Sequence, residues 1–131
     1  MKKILILSHQ ASITGAPNSI LELTSYLLKH NEYQFFFLFK ESGPLIENFK
    51  KLGLVYSMDN LNNSHSLFFR FLKRAFPLYR FRDIFIIIRL KLFNPNLVIS
   101  NTIVNSYLLK YVNLKKIKLV TVVREMKGVI D

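Results

Sequence analysis

The residues whose types and spacing suit chemistry stand far apart in this chain. Gly15 and Ala16 follow the segment His9-Gln10-Ala11-Ser12-Ile13-Thr14, Asn101 and Thr102 follow the apolar run Leu97-Val98-Ile99-Ser100, and Arg124 and Glu125 follow the run from Ile117 to Val122. Each group comes directly after a β-prone run, so a parallel sheet would bring all of them to one carboxyl edge, where crevice sites form. A glycine in the first loop adopts backbone angles closed to other residues and lets a second molecule approach the main chain. A helix beginning near Ala16 or Pro17 would turn its N–H groups and positive dipole end towards a phosphate or sugar, and Pro17 suits a first helical turn. Each group also has a plainer use. The Gly15 loop can be an ordinary tight connection, Asn101 or Thr102 can cap the next helix, and Arg124 with Glu125 can form a salt bridge without chemistry.

The elements that must position these residues are legible as patterns. Ile4 to Ser8 is a continuous apolar run of the kind buried on both sheet faces. The helix after it is expected to run to about Lys29 or His30, with Ile20, Leu23, Leu27 and Leu28 on its sheet-facing side and Glu22 solvated. Gln34 to Phe39 reads as a second central strand, Ser42-Gly43-Pro44 as a loop and helix start with Gly53 near the helix end, and Leu54 to Met58 as a third strand. Residues 59–66 are polar and turn-rich, the best candidate for a mobile loop. Leu67 to Ala75 is amphipathic, with Phe68, Phe71, Leu72 and Ala75 opposite Arg70, Lys73 and Arg74. After Pro77, Leu78 to Phe93 reads as a helix with Arg80, Arg82, Arg89 and Lys91 spread around it. Leu97 to Ser100 is a fourth strand, Val104 to Tyr111 a helix, and Ile117 to Val122 a fifth strand.

The expected fold is therefore α/β: one domain over residues 1–131, a Rossmann-like open parallel sheet of about five strands in the order 3-2-1-4-5, with helices on both faces. Half of the 131 residues are apolar, enough for one core. There is no Cys, and His9, His30 and His65 lack metal-ligand spacing, so no metal or thiol chemistry is indicated. Lys2 and Lys3 precede too short an apolar run for a signal peptide, and no stretch is apolar enough to span a bilayer. The expected location is cytoplasmic. The net charge is +11, and residues 66–95 hold seven cations against the single acid Asp83. Such a basic, aromatic-rich segment fits the surface of an anionic membrane, with Arg70, Lys73 and Arg74 as the contact residues, or a soluble helix with its cations solvated. Nucleic acid is the less fitting polyanion, since the aromatics read as buried and no recognised motif accompanies them.

His9 to Pro17 followed by a Leu-rich helix, Asn94-Pro95-Asn96-Leu97-Val98-Ile99-Ser100-Asn101-Thr102, and Val122-Val123-Arg124-Glu125-Met126 resemble, in order and spacing, the N-terminal domain of retaining glycosyltransferases of the GT-B architecture, particularly the family-4-type group. The resemblance covers nearly the whole chain and the first half of such an enzyme. It implies the acceptor-binding part of a hexosyltransferase in polysaccharide biosynthesis, with a nucleotide-sugar as co-substrate, no metal, and a glycan or lipid-linked acceptor at the inner membrane surface. Gly15 and Ala16 would lie near the donor diphosphate, and His9, Asn101, Thr102, Arg124 and Glu125 would line the acceptor side. The histidine common after the fifth strand is absent, the Asp common before the fourth strand is Asn96, and the donor domain with its paired glutamates does not follow. The chain alone is expected to lack transferase activity, the donor half coming in cis or from a partner chain. The alternative is a non-enzymatic α/β nucleotide- or phosphate-binding regulatory domain. A receiver domain would want an acidic cluster after the first strand, where Ser8 and His9 stand, and Ser12-Ile13-Thr14-Gly15 only approximates a flavin phosphate loop.

Overall fold

The computed structural model of the chain describes residues 1–59, 74, 78–101, 103–113 and 115–122. Five strands, β1 (Lys2–Gln10), β2 (Tyr33–Glu41), β3 (Leu54–Ser57), β4 (Leu97–Ser100) and β5 (Lys118–Thr121), form one parallel sheet in the order β3-β2-β1-β4-β5. This is the expected Rossmann-like order, and the succession of strands reverses between β1 and β4. The helices are α1 (Gly15–Leu28), α2 (Ile46–Lys50) and α3 (Leu78–Phe93), with a 3-10 helix over Ile103–Tyr111.

Both faces of the sheet are covered, which explains the unbroken apolar runs of β1 and β2. On one face Ile4, Ile6, Phe35, Phe37, Phe39 and Ile99 pack with Ile20 of α1 and with Ile46 and Phe49 of α2. Alternate β2 rings stack along the strand, Phe35 on Phe37 at 5.9 Å and Phe37 on Phe39 at 6.5 Å, and Phe49 closes on Phe37 and Phe39 at 4.9 and 5.0 Å. On the other face Leu5, Leu7, Phe36, Leu38 and Val98 meet Ile86, Leu90 and Phe93 of α3, and Leu108 and Tyr111 of the 3-10 helix. Period-two side-chain alternation within each strand divides the core this way.

Four local expectations need correction. Helix α1 begins at Gly15, one residue before the expected start, and Gly15 itself takes no positive φ and has open space where a Cβ would stand. Leu23 is exposed, and Thr24 takes its place against the sheet. Thr24 sits nearer the centre of the arc set by Pro17 and Ile20, and its hydroxyl is satisfied inside the helix by donating to the Ile20 carbonyl at 2.7 Å. Helix α2 is only five residues long. The segment from Val104 to Tyr111 is wound as a 3-10 helix. Glu22 is exposed as expected. Residues 60–66 of the polar loop and all of Leu67 to Ala75 except Arg74 lie outside the described residues.

Candidate functional site at the carboxyl edge of the sheet

Three backbone connections build the rim. The Ala11 carbonyl, just beyond β1, accepts the Leu45 N–H at 3.0 Å, locking the first loop to the loop after β2. Gly43 makes that approach feasible, because a Cβ there would run into the Ala11 carbonyl oxygen. Beyond β4, the Asn101 N–H donates to the Leu7 carbonyl at 3.0 Å, and the Val122 N–H donates to the Ser100 carbonyl at 2.8 Å. The ends of β1, β4 and β5 are thereby held side by side at the switch point, the place where ligands enter open α/β sheets.

The first loop is organised by short side chains. Thr14 is the residue before α1, yet its hydroxyl makes no cap and instead pairs with the Ser12 hydroxyl at 2.9 Å. Pro17 brings no N–H and no acid stands in the first turn of α1, so the helix itself supplies no negative charge to its positive end. Asn101 supplies the opposite wall. It is 1% exposed, and among the described residues neither its Oδ1 nor its Nδ2 has a hydrogen-bond partner. An amide in that state normally costs stability. The expected capping role for Asn101 is not realised, since capping would use its Oδ1.

A second polar group gathers around Glu41 at the end of β2, with His9 on one side and Tyr107 of the 3-10 helix on the other. Among the described residues, His9 Nδ1 and the Tyr107 hydroxyl are both buried without a hydrogen-bond partner, and His9 Nε2 lies 3.9 Å from Glu41 Oε1. Lys40 Nζ stands 5.5 Å from the centre of the Tyr107 ring. Burial, with Glu41 and Tyr111 nearby, pushes the Tyr107 phenol up to about 12. Tyr107 is thus a neutral hydroxyl at physiological pH, able to donate or accept.

Asp59, just beyond β3, closes the rim on its far side. The Ser42 N–H donates to Asp59 Oδ2 at 2.7 Å and the Ser42 hydroxyl at 2.5 Å, and the Ser57 hydroxyl donates to Oδ1. Burial would push this carboxyl up, but hydrogen bonds from Ser42 and Ser57 outweigh it and hold the group below the ordinary Asp range. With its lone pairs engaged, Asp59 fixes the β2 and β3 loops.

Gly15, Ala16, His9 and Asn101 are brought to the same edge, whereas Thr102, Arg124 and Glu125 lie outside the described residues. Of the proposed membrane-contact residues, Arg74 is exposed, and Arg70 and Lys73 are outside the described set. Gly43, Asp59, Lys40, Glu41 and Tyr107 were not anticipated. Gly43 stood within a recognised turn, and only the approach of Ala11 gives it a role. Asn96 serves the opposite, amino edge, where its Oδ1 accepts the Lys3 N–H at 2.9 Å and its N–H donates to the Lys3 carbonyl at 2.8 Å.

Volume and chemistry part company in this fold. An open cavity of about 320 Å³ lies at the amino edge, lined by Tyr26, Leu27, His30, Glu32 and Tyr33. The buried polar atoms of Asn101, His9 and Tyr107 that have no partner among the described residues belong instead to elements around the carboxyl edge, which makes that edge the stronger candidate. Among the described residues no three His, Asp or Glu side chains are grouped to hold a metal ion. Comparison with protein-family models and with curated proteins finds no match for this chain.

Proposed function

We propose that the chain is the acceptor-side domain of a retaining glycosyltransferase that moves a sugar from a nucleotide-sugar to a glycan or lipid-linked acceptor at the inner face of a membrane. The donor domain would come from further polypeptide or from a partner chain. The carrying observation is Asn101, a buried amide with neither polar end partnered among the described residues, beside the β1–β4 switch point. A polyhydroxylated ligand supplies both donors and acceptors to such an amide, and the α1 start at Gly15 and Ala16 suits the diphosphate of a donor. His9 and the neutral Tyr107 hydroxyl add further hydrogen-bonding capacity. In this reading the residues position and orient, and Arg124 would stabilise charge growing on a departing phosphate.

The test begins with the endogenous polypeptide, captured with an antibody against its N-terminal segment together with any partner, and assayed with labelled nucleotide-sugars and a lipid extract. Transfer of label into lipid or glycan, lost in a strain carrying Asn101→Leu, supports the reading. Binding of nucleoside diphosphate without transfer by any captured assembly would replace it with the regulatory binding domain. That second reading draws on the same helix start and the same Asn101.

A further inference from the structure

Helix α3 is apolar on two opposite sides. Ile86, Leu90 and Phe93 are buried against the sheet. On the other side Phe81, Ile84, Ile88 and Leu92 are exposed, Ile88 by 50% and Leu92 by 76%, and Phe85 is partly exposed at the edge of this side, its ring 5.6 Å from that of Tyr56 in β3. At 3.6 residues per turn these five fall within an arc of about 100°, a continuous stripe down the outer surface of the helix. Arg89 and Lys91, both exposed, flank the stripe on either side. The Arg89 guanidinium lies 5.0 Å from the centre of the Phe85 ring, which holds the cation at the border of the apolar strip. The one acid of α3, Asp83, is engaged away from the stripe with Tyr111, Lys110 and Arg82.

We infer that this outer stripe is a docking face for an anionic lipid surface, with the five apolar side chains at the boundary between headgroups and acyl chains, and Arg89 and Lys91 at the phosphates. The inference rests on the membrane-surface part of the proposed function and not on sugar transfer. Charge decides the occupant. A second copy of a chain with net charge +11 would bring the same cations against Arg89 and Lys91, whereas an anionic bilayer neutralises them. Free polyanions satisfy the cations but give the exposed apolar surface of the stripe nothing to bury against. No described helix is long and apolar enough to cross a bilayer, so the stripe would lie in the interface.

The geometry also sets which way the site faces. Phe93, at the end of α3, is separated from the start of β4 only by Asn94, Pro95 and Asn96, and its ring receives Lys3 from the start of β1 at 5.8 Å. That end belongs to the amino edge, so the Phe81 end points towards the carboxyl edge that carries Asn101. A chain lying on α3 would hold its carboxyl-edge crevice beside the lipid surface, where a lipid-linked acceptor presents its headgroup.

The chain has no Trp, so Ile88→Trp places a single reporter at the centre of the stripe and Leu23→Trp places one on the outside of α1. Each is mixed with vesicles of phosphatidylglycerol and phosphatidylcholine, and with vesicles in which the acyl chains are brominated. The expected result is a blue shift and strong quenching for Ile88→Trp, neither for Leu23→Trp, and no binding to pure phosphatidylcholine. In the sedimentation of otherwise native chain, Arg89→Gln and Lys91→Gln each weaken binding about fivefold, and Ile88→Asp weakens it at least about tenfold, with circular dichroism unchanged. Vesicle binding with Ile88→Trp unquenched would move the contact elsewhere, a lipid-independent blue shift with dimerisation would assign the stripe to a second copy, and absence of binding would remove the docking face. Each of these overturns the inference and leaves sugar transfer to stand or fall on its own assay.

Discussion

The Tyr111 hydroxyl donates to Asp83 Oδ1 at 2.6 Å, tying the end of the 3-10 helix to the first turns of α3. Lys110 Nζ also reaches Asp83, at 3.6 Å from Oδ2. A hydrogen bond to a carboxylate is among the stronger ones, so Tyr111→Phe should lower unfolding free energy by about 2 kcal/mol. Chemical denaturation of the two proteins checks the figure, and an unchanged midpoint would mean that the bond adds nothing to packing.

The same tyrosine predicts alkaline sensitivity. Burial, reinforced by Asp83, pushes the Tyr111 phenol up to about 12, and burial with Glu41 nearby does the same for Tyr107. The folded state therefore favours the neutral phenols. Their contribution is complete below the ordinary tyrosine value and is lost as pH rises from there towards 12. Tyrosinate absorbance should show these two phenols, and Tyr56, which burial also raises, ionising late, together with loss of helical circular dichroism. Ionisation of all six tyrosines in one ordinary wave with the fold intact would contradict it.

Asp59 predicts the opposite dependence at acid pH. Its folded value is held down by Ser42 and Ser57 against the effect of burial, so its contribution is present above the ordinary Asp value and fades as pH falls through the folded one. Asp59→Asn should remove part of the acid-side slope of stability against pH and cost about 1–2 kcal/mol near neutrality, because the Ser42 N–H loses a charged acceptor. Parallel slopes for the two proteins below pH 5 would show that the network does not titrate.

Two glycines separate packing from binding. Gly43→Ala drives a methyl group into the Ala11 carbonyl oxygen and should destabilise by about 1–3 kcal/mol through movement of the first loop. Gly15→Ala meets nothing within 4 Å and lies in a helical turn, so it should leave the fold unharmed or raise stability by up to about 1 kcal/mol. If a diphosphate approaches that turn closely, the same methyl group weakens nucleoside diphosphate binding in titration calorimetry. Equal destabilisation by both substitutions would contradict the difference in local space.

Much of this arrangement was legible before the structure because the strands are buried on both faces. Runs such as Ile4 to Leu7 and Phe35 to Phe39 leave no polar alternation to misread, and Leu97 to Ser100 and Leu78 to Phe93 have the expected bounds. The misses lie where hydrophobic pattern alone does not report hydrogen bonding or packing. Leu23 outranks Thr24 in hydrophobicity, but the Thr24 hydroxyl is satisfied by its own helix and the residue fits the sheet-facing arc. Asp59 read as one polar residue in a turn, because Ser42 lies seventeen residues away. The outer stripe of α3 was hidden by the inner one, since a helix apolar on both sides loses the contrast that marks a face.

Asn101 offers the sharpest division between stability and function. Its amide is 1% exposed with neither polar end partnered among the described residues, so Asn101→Leu removes a desolvation cost while keeping a similar volume. The variant should unfold at higher denaturant, by about 1–2 kcal/mol, while the Asn101 N–H to Leu7 bond persists because it uses only the backbone. If the amide exists to meet a ligand, the gain in stability comes with loss of glycan or nucleotide-sugar binding, the trade expected where a destabilised group serves a site. A variant both more stable and equally able to bind would take Asn101 out of the site. A variant less stable by several kcal/mol would mean that the amide is satisfied in the native protein after all, and that its role is to hold β4 in place.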